Sequence, residues 1–166
     1  MNLRKITHPH SIGFMLIALI FLLTLSACGA RSERDPLELQ TFLSVMEEKG
    51  FQIIDYTGEL TGDLEAHVSL YLIAVSPTGS FQVEFIECHT VAGARAVFVG
   101  TRQNVEALRG SASSHRSVDG PNHSSYSQTS GGVYSRLLRV DNIVVIVLGA
   151  DSGYRDEIRN IFDIIS

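Results

Sequence analysis

Apolar residues recur along the first part of the chain with the period of a helix. Leu39, Phe42, Leu43 and Met46 stand at i, i+3, i+4 and i+7, which predicts a helix with one buried stripe. An acceptor, a proline and a glutamate in Asp35-Pro36-Leu37-Glu38 favour a helix start at that point. Lys49-Gly50 predicts its end, with the glycine in the left-handed conformation.

Five segments instead show the short apolar or alternating patterns of strands. They are Phe51–Tyr56, Leu64–Val75, Phe81–Cys88, Val133–Val140 and Ile143–Leu148. Asp141-Asn142 separates the last two and predicts a tight hairpin, because both side chains tolerate a positive φ. The last segment is apolar at every position, so we expect it to be central or covered on both faces.

Two more helices are predicted, and an irregular stretch follows the first of them. Thr90 can cap a helix that runs to about Leu108, and Asp151-Ser152-Gly153 opens a last helix that reaches Ile165. Residues 109–132 are rich in serine, glycine, histidine and asparagine and lack apolar periodicity. This pattern predicts a long flexible loop, either functional or disordered.

The predicted order is therefore α-β-β-β-α-loop-β-β-α. Because the strands are joined by hairpins, we expect an α+β fold with two layers, an antiparallel sheet of about five strands and three helices mainly on one face. Residues 35–166 have the length of one domain with a substantial core.

The N-terminal part of the chain reads as an export leader. Arg4 and Lys5 precede fourteen mostly apolar residues, from Ile12 to Leu25, whereas a spanning helix needs roughly twenty. The run ends in Leu25-Ser26-Ala27-Cys28, which resembles the lipobox of bacterial lipoproteins at all four positions. A retained anchor helix and an ordinary secretory signal are the alternative interpretations.

The resemblance implies that residues 1–27 are a signal peptide cleaved before Cys28, and that Cys28 carries a diacylglycerol thioether and an acylated amino group. The protein would then be held by lipid on the extracytoplasmic side of a membrane, with residues 28–34 as a short tether. Several acyl chains together give the stable anchoring that one chain does not. The part after Cys28 is also similar to small α+β lipoproteins of bacteria.

Charge and cysteine content narrow the function further. Without the leader's two basic residues, residues 28–166 carry 11 − 18 = −7 formal charges. This balance argues against nucleic acid as a partner and against a polybasic membrane-surface patch.

If Cys28 is acylated, Cys88 is the only other cysteine and no intramolecular disulfide forms. Cys88-His89 is a weak candidate for catalysis, because adjacent residues of a strand point to opposite faces.

Two groups of residues are candidate sites. His115, Asp119 and His123 have zinc-ligand chemistry, but Gly120-Pro121 excludes the helix that would align them, so only a loop chelate remains. The residues of the second group would share the outer face of the sheet and form a partly apolar platform for binding. The alternative is that residues 109–132 cover this sheet face, so that it binds no partner. The members of the second group are His67, Ser69, Tyr71, Ile73, Glu84 and Ile86.

The sequence therefore favours a membrane-anchored, non-enzymatic binding or interaction module of the cell envelope, with no cofactor. Its partner would be another envelope protein or a small ligand. The alternative function is a metal-dependent or hydrolytic enzyme that uses His115, Asp119 and His123. A purely structural surface protein is a third hypothesis.

Overall fold

The strands of the molecule pair edge to edge into a single antiparallel sheet. The computed structural model describes residues 34–110 and 113–166, and within them the sheet has seven strands. They are β1 (Gln52–Asp55), β2 (Val68–Val75), β3 (Gln82–Cys88), β4 (Ser113–Asp119), β5 (His123–Ser130), β6 (Val133–Val140) and β7 (Ile143–Asp151). Their order across the sheet is β1-β2-β3-β7-β6-β5-β4, and every pair is antiparallel.

Four α-helices accompany the sheet in the described residues. They are α1 (Leu39–Glu48), α2 (Asp63–His67), α3 (Val91–Ala107) and α4 (Arg155–Ile165), with 3₁₀ turns at Thr57–Glu59 and Ser152–Tyr154. The α+β class and the antiparallel sheet are thus confirmed. The predicted leader, Cys28 and the tether up to residue 33 lie outside the described residues.

The helices cover both faces of the sheet, so the predicted two-layer arrangement is wrong. On one face, α1 and α4 pack over a core that includes Phe42, Phe85 and Phe162. On the other face, α3 packs over a second core that includes Phe98 and Ile146. We call these the α1/α4 face and the α3 face. The central strand β7 contributes buried residues to both cores, as its apolar sequence predicted.

Several predicted local features are confirmed. The apolar stripe of α1 faces the core, and Gly50 follows the helix with φ +72°. The Thr90 hydroxyl caps α3 by accepting a hydrogen bond from the Gly93 N–H at 3.0 Å. Asp141 has φ +49° in the two-residue turn between β6 and β7.

Two helix boundaries differ from the prediction. The helix α1 begins at Leu39, and its N-cap Glu38 makes no side-chain capping bond, so Asp35 and Pro36 precede the helix rather than start it. The predicted strand from Leu64 is helical up to His67. A bulge at Ser69 follows, which turns Val68 to the α3 face.

The predicted loop at 109–132 is wrong, because β4 and β5 occupy most of it. Glycines 131 and 132 have φ +59° and +80° and form the tight turn from β5 to β6. The three strands β4, β5 and β6 pair in continuous register. Strands β4 and β5 therefore extend the sheet by two polar strands instead of leaving a mobile surface segment.

Candidate functional site

A cavity of about 590 Å³ lies on the α1/α4 face, where the polar strands β4 and β5 and the neighbouring β6 face α4. We call it the arginine groove. Its arginines come from the segment before α1 and from β4, β6 and α4, and its hydroxyl groups come mainly from β4 and β5. The arginines are Arg34, Arg116, Arg136, Arg155 and Arg159, and the main hydroxyl residues are Ser114, Ser125, Ser127 and Thr129.

The floor of the arginine groove is set by strand register. Arg116 of β4 is paired with Ser127 of β5, which is paired with Arg136 of β6. Paired residues share a sheet face, and neighbouring strands lie about 4.8 Å apart, so the Cα atoms of the two arginines are separated by about 10 Å. The Ser127 hydroxyl thus lies between two arginine side chains.

The wall opposite the floor is formed by α4. Arg155, Arg159 and Asp163 are spaced at i, i+4 and i+8, so they lie along one side of the helix, and all three line the groove. Among the described residues that line the groove, Asp163 is the only carboxylate. Since five arginines and one aspartate of the described chain line the cavity, the formal charge of these residues is 5 − 1 = +4.

Contacts hold Arg136 in place. Its Nη2 donates to Asp163 Oδ1 at 3.0 Å, and its guanidinium lies 4.9 Å from the centroid of the Phe162 ring. An ion pair on one side and an aromatic face on the other fix the direction of this long side chain. Arg136 is therefore preorganised at the edge of the groove.

The other arginines keep most of their hydrogen-bonding capacity. Arg159 approaches Asp156 only at 3.8 Å, and the carboxylate side chain of Asp156 is 93% exposed. Within residues 34–110 and 113–166, Arg34, Arg116 and Arg155 form no ion pair. Donors that the protein itself does not satisfy are available to a ligand.

Arg34, in the segment before α1, is held at the rim of the groove by Asn122 of the β4–β5 turn. The Arg34 N–H donates to Asn122 Oδ1 at 3.1 Å, and Asn122 Nδ2 donates to the Arg34 carbonyl at 2.8 Å. Arg139 of β6 in turn donates to the Asn122 carbonyl at 3.1 Å. Side-chain bonds thus hold the backbone of Arg34 beside the β4–β5 turn.

The predicted metal-ligand residues do not meet. His115 and Asp119 lie on the α3 face of β4, four residues and about 13 Å apart, whereas His123 lies on the α1/α4 face of β5. Among the described residues, no group of three histidine, cysteine or carboxylate side chains is placed to hold a metal ion. Both histidines are among the residues that line the arginine groove, His115 from β4 and His123 from β5, and the His123 ring packs over Gly120.

The predicted binding platform is only partly assembled. Tyr71, Ile73, Glu84 and Ile86 share the α3 face. His67 belongs to α2, and Ser69 is the bulge residue, whose hydroxyl donates to the Glu87 carbonyl. The cover comes from α3 and the segment near Leu60, not from residues 109–132.

Glu84 and Tyr71 of this platform satisfy each other. The Tyr71 hydroxyl donates to Glu84 Oε2 at 2.9 Å, and Gln82 Nε2 donates to Glu84 Oε1 at 3.1 Å. Burial, followed by the Glu84 carboxylate, raises the pKa of the Tyr71 phenol above its ordinary value. Both groups therefore act within the protein's own hydrogen-bond network.

Cys88 has the environment of a structural residue. It is 1% exposed, and burial, with a smaller contribution from Glu87, raises the pKa of its thiol. A thiol that stays protonated is a poor nucleophile. Cys88 therefore contributes to the core of the α3 face as a small apolar residue.

Sequence patterns did not identify the arginine groove. Its five arginines are distributed over more than 120 positions, and strand pairing and helix placement bring them together.

Within the described part of the chain, no helix has the length and apolar character to cross a bilayer. Comparisons with protein-family models, with curated proteins and with solved structures found no match to this chain.

Proposed function

We propose that this protein is a lipid-anchored, non-enzymatic binding module of the cell envelope, and that it holds an anionic ligand in the arginine groove. The lipobox Leu25-Ser26-Ala27-Cys28 supports the anchor. The observation that carries the binding role is the formal charge of +4 in one cavity of a chain whose net charge is −5.

The size and chemistry of the groove suit a small polar ligand. A cavity of about 590 Å³ falls within the range of small-molecule sites, which is roughly 300–1,000 Å³. Most such sites are lined by apolar side chains, whereas this one presents guanidinium and hydroxyl donors. Guanidinium groups whose N–H donors are not bonded to acceptors of the protein favour a ligand that is rich in negatively charged oxygen atoms.

Anchoring is tested by intact mass measurement of the chain recovered from bacterial membranes. We expect a mature protein that begins at Cys28 with added acyl mass, and we expect Cys28→Ala to abolish both processing and acylation. A wild-type terminus without lipid, or a protein that buffer alone washes from the membrane, would refute the anchor.

Ligand binding is tested by titrating the full chain, in an uncharged detergent, with a panel of small anions. Arg116→Gln and Arg155→Gln each remove one charge from the groove, whereas Arg95→Gln removes one from an exposed position of α3 on the other face. We expect the first two substitutions to weaken anion binding and the third to leave it unchanged. Equal weakening by all three would show that net charge, rather than the groove, determines binding.

A further inference from the structure

The two rows of donors in the groove indicate which anion it accepts. Arg116 and Arg136 flank the Ser127 hydroxyl on the floor, and Arg155 and Arg159 approach from α4. A guanidinium offers two parallel N–H donors that match the oxygen atoms of a phosphate. A phosphate can engage guanidinium groups from both walls at once, since its oxygen atoms point in tetrahedral directions.

The number of arginines also favours phosphate over a single carboxylate. Asp163, the one carboxylate in the part of the lining that the structure describes, already satisfies part of Arg136 through the 3.0 Å ion pair. The remaining formal charge of +4 exceeds what one carboxylate can neutralise. A phosphate ester adds further oxygen acceptors, for which the serine and threonine hydroxyls of β4 and β5 are complementary.

The short stretch of sequence between Cys28 and the groove indicates where the phosphate is found. Arg34 lines the groove, and Asn122 fixes its backbone there. Cys28 precedes Arg34 by six residues, which span at most ~21 Å when fully extended. If Cys28 carries the lipid anchor, as proposed above, the groove cannot lie far from the headgroups of the bilayer.

From this geometry we infer that the arginine groove binds the phosphate of an anionic phospholipid headgroup at the membrane that holds the protein. The inference rests on the proposed function and adds the ligand's chemical class and source. A polybasic surface binds anionic membranes through charge alone, whereas a groove with fixed donors also selects the shape of the headgroup.

The test uses the full chain in maltoside micelles and four probes, followed by calorimetry. The probes are short-chain phosphatidylglycerol, glycerol 3-phosphate, inorganic phosphate and citrate. We expect the phospholipid to bind most tightly, with about tenfold weakening in Arg116→Gln and in Arg155→Gln and no change in Arg95→Gln. Because Arg116 and Arg155 are exposed, we expect these variants to melt at the wild-type temperature, which separates lost binding from lost folding.

The probes separate the sources of the ligand. If glycerol 3-phosphate binds as tightly as the phospholipid, the phosphate chemistry is supported and the membrane source is overturned. If citrate binds as tightly as the phosphates, and the groove variants weaken it, the phosphate inference fails while the proposed anion-binding function stands. If none of the four probes binds, both proposals fail together.

Discussion

Arg139 offers the sharpest test of how the polar end of the sheet is held together. Its side chain is 1% exposed on the α3 face and donates to the carbonyls of Asn122 and Asp141 and to the Ser124 hydroxyl, at 3.1–3.2 Å. It thereby ties the β4–β5 turn to the β6–β7 turn. Within the described residues it has no carboxylate partner at ion-pair distance.

Two substitutions separate the contribution of its charge from that of its packing. Burial, followed by the neighbouring Arg95, lowers the pKa of Arg139, and the carboxylates of Asp141 and Asp119 partly offset this shift. The three hydrogen bonds of Arg139 stabilise the fold, whereas the desolvation of its buried charge opposes folding. Arg139→Met fills most of the same space and also removes that cost. We expect it to reduce the free energy of unfolding by only about 1 kcal/mol.

Arg139→Ala leaves a void in addition to the lost hydrogen bonds. Large-to-small substitutions of this size in a core cost about 2–5 kcal/mol, so we expect a loss of about 3 kcal/mol. Urea unfolding of the full chain in maltoside micelles, followed by circular dichroism because the chain has no tryptophan, measures both variants. Equal losses in the two variants, or a loss under about 0.5 kcal/mol in the alanine variant, would refute this reasoning.

Three further predictions concern other parts of the fold. Asn122→Ala removes both hydrogen bonds to the Arg34 backbone, so we expect urea unfolding to show a loss of about 1–2 kcal/mol, against no measurable change for the exposed Asn104→Ala. Gly100→Ala adds a Cβ that meets no atom within 4 Å, so we expect a gain of about 0.5–1 kcal/mol in the free energy of unfolding and a higher melting temperature. Gly93→Ala places its Cβ 3.3 Å from the Thr90 hydroxyl oxygen, so we expect a smaller gain or a loss of stability. A larger gain at Gly93 than at Gly100 would contradict this reasoning. The folded state raises the pKa of Cys88 and of Tyr71, so both groups stabilise the fold below their unfolded pKa values, and this contribution is lost as pH rises above about 9. We therefore expect the melting temperature to fall less steeply with rising pH in the Cys88→Ala, Tyr71→Phe double variant than in the wild type. Equal slopes in the two proteins would refute this prediction.

Periodicity identified the elements that bury an apolar stripe. The stripe of α1 and the two-sided apolar run of β7 both have strong sequence signals, because burial selects apolar residues at regular positions. The β7 pattern also contained the information that both faces are covered. The expectation of helices mainly on one face conflicted with that pattern, and the position of α3 resolves the conflict.

The strands β4 and β5 lack such a signal for a physical reason. One face of both strands borders the arginine groove and is polar, and β4 has no buried residue on either face. The buried face of β5 carries polar side chains that are satisfied by hydrogen bonds. Gln128 is 5% exposed, donates to the Val105 carbonyl at 3.0 Å and accepts from the Tyr126 hydroxyl at 2.7 Å. The adjacent Gly131-Gly132 pair was the available hairpin signal, since both residues have a positive φ.

The groove also shows why net charge alone is a weak guide to partners. A balance of −7 over residues 28–166 argued against a basic surface, yet five of the eleven basic residues in that range line one cavity. Electrostatic attraction between exposed charges decays over about 8–10 Å at physiological salt, so a bound anion responds to the nearest arginines far more than to distant carboxylates. The net charge reports the average of the surface, whereas strand register determines which charges become neighbours. The anion selectivity that we propose depends on the pairing of Arg116, Ser127 and Arg136 across the three strands.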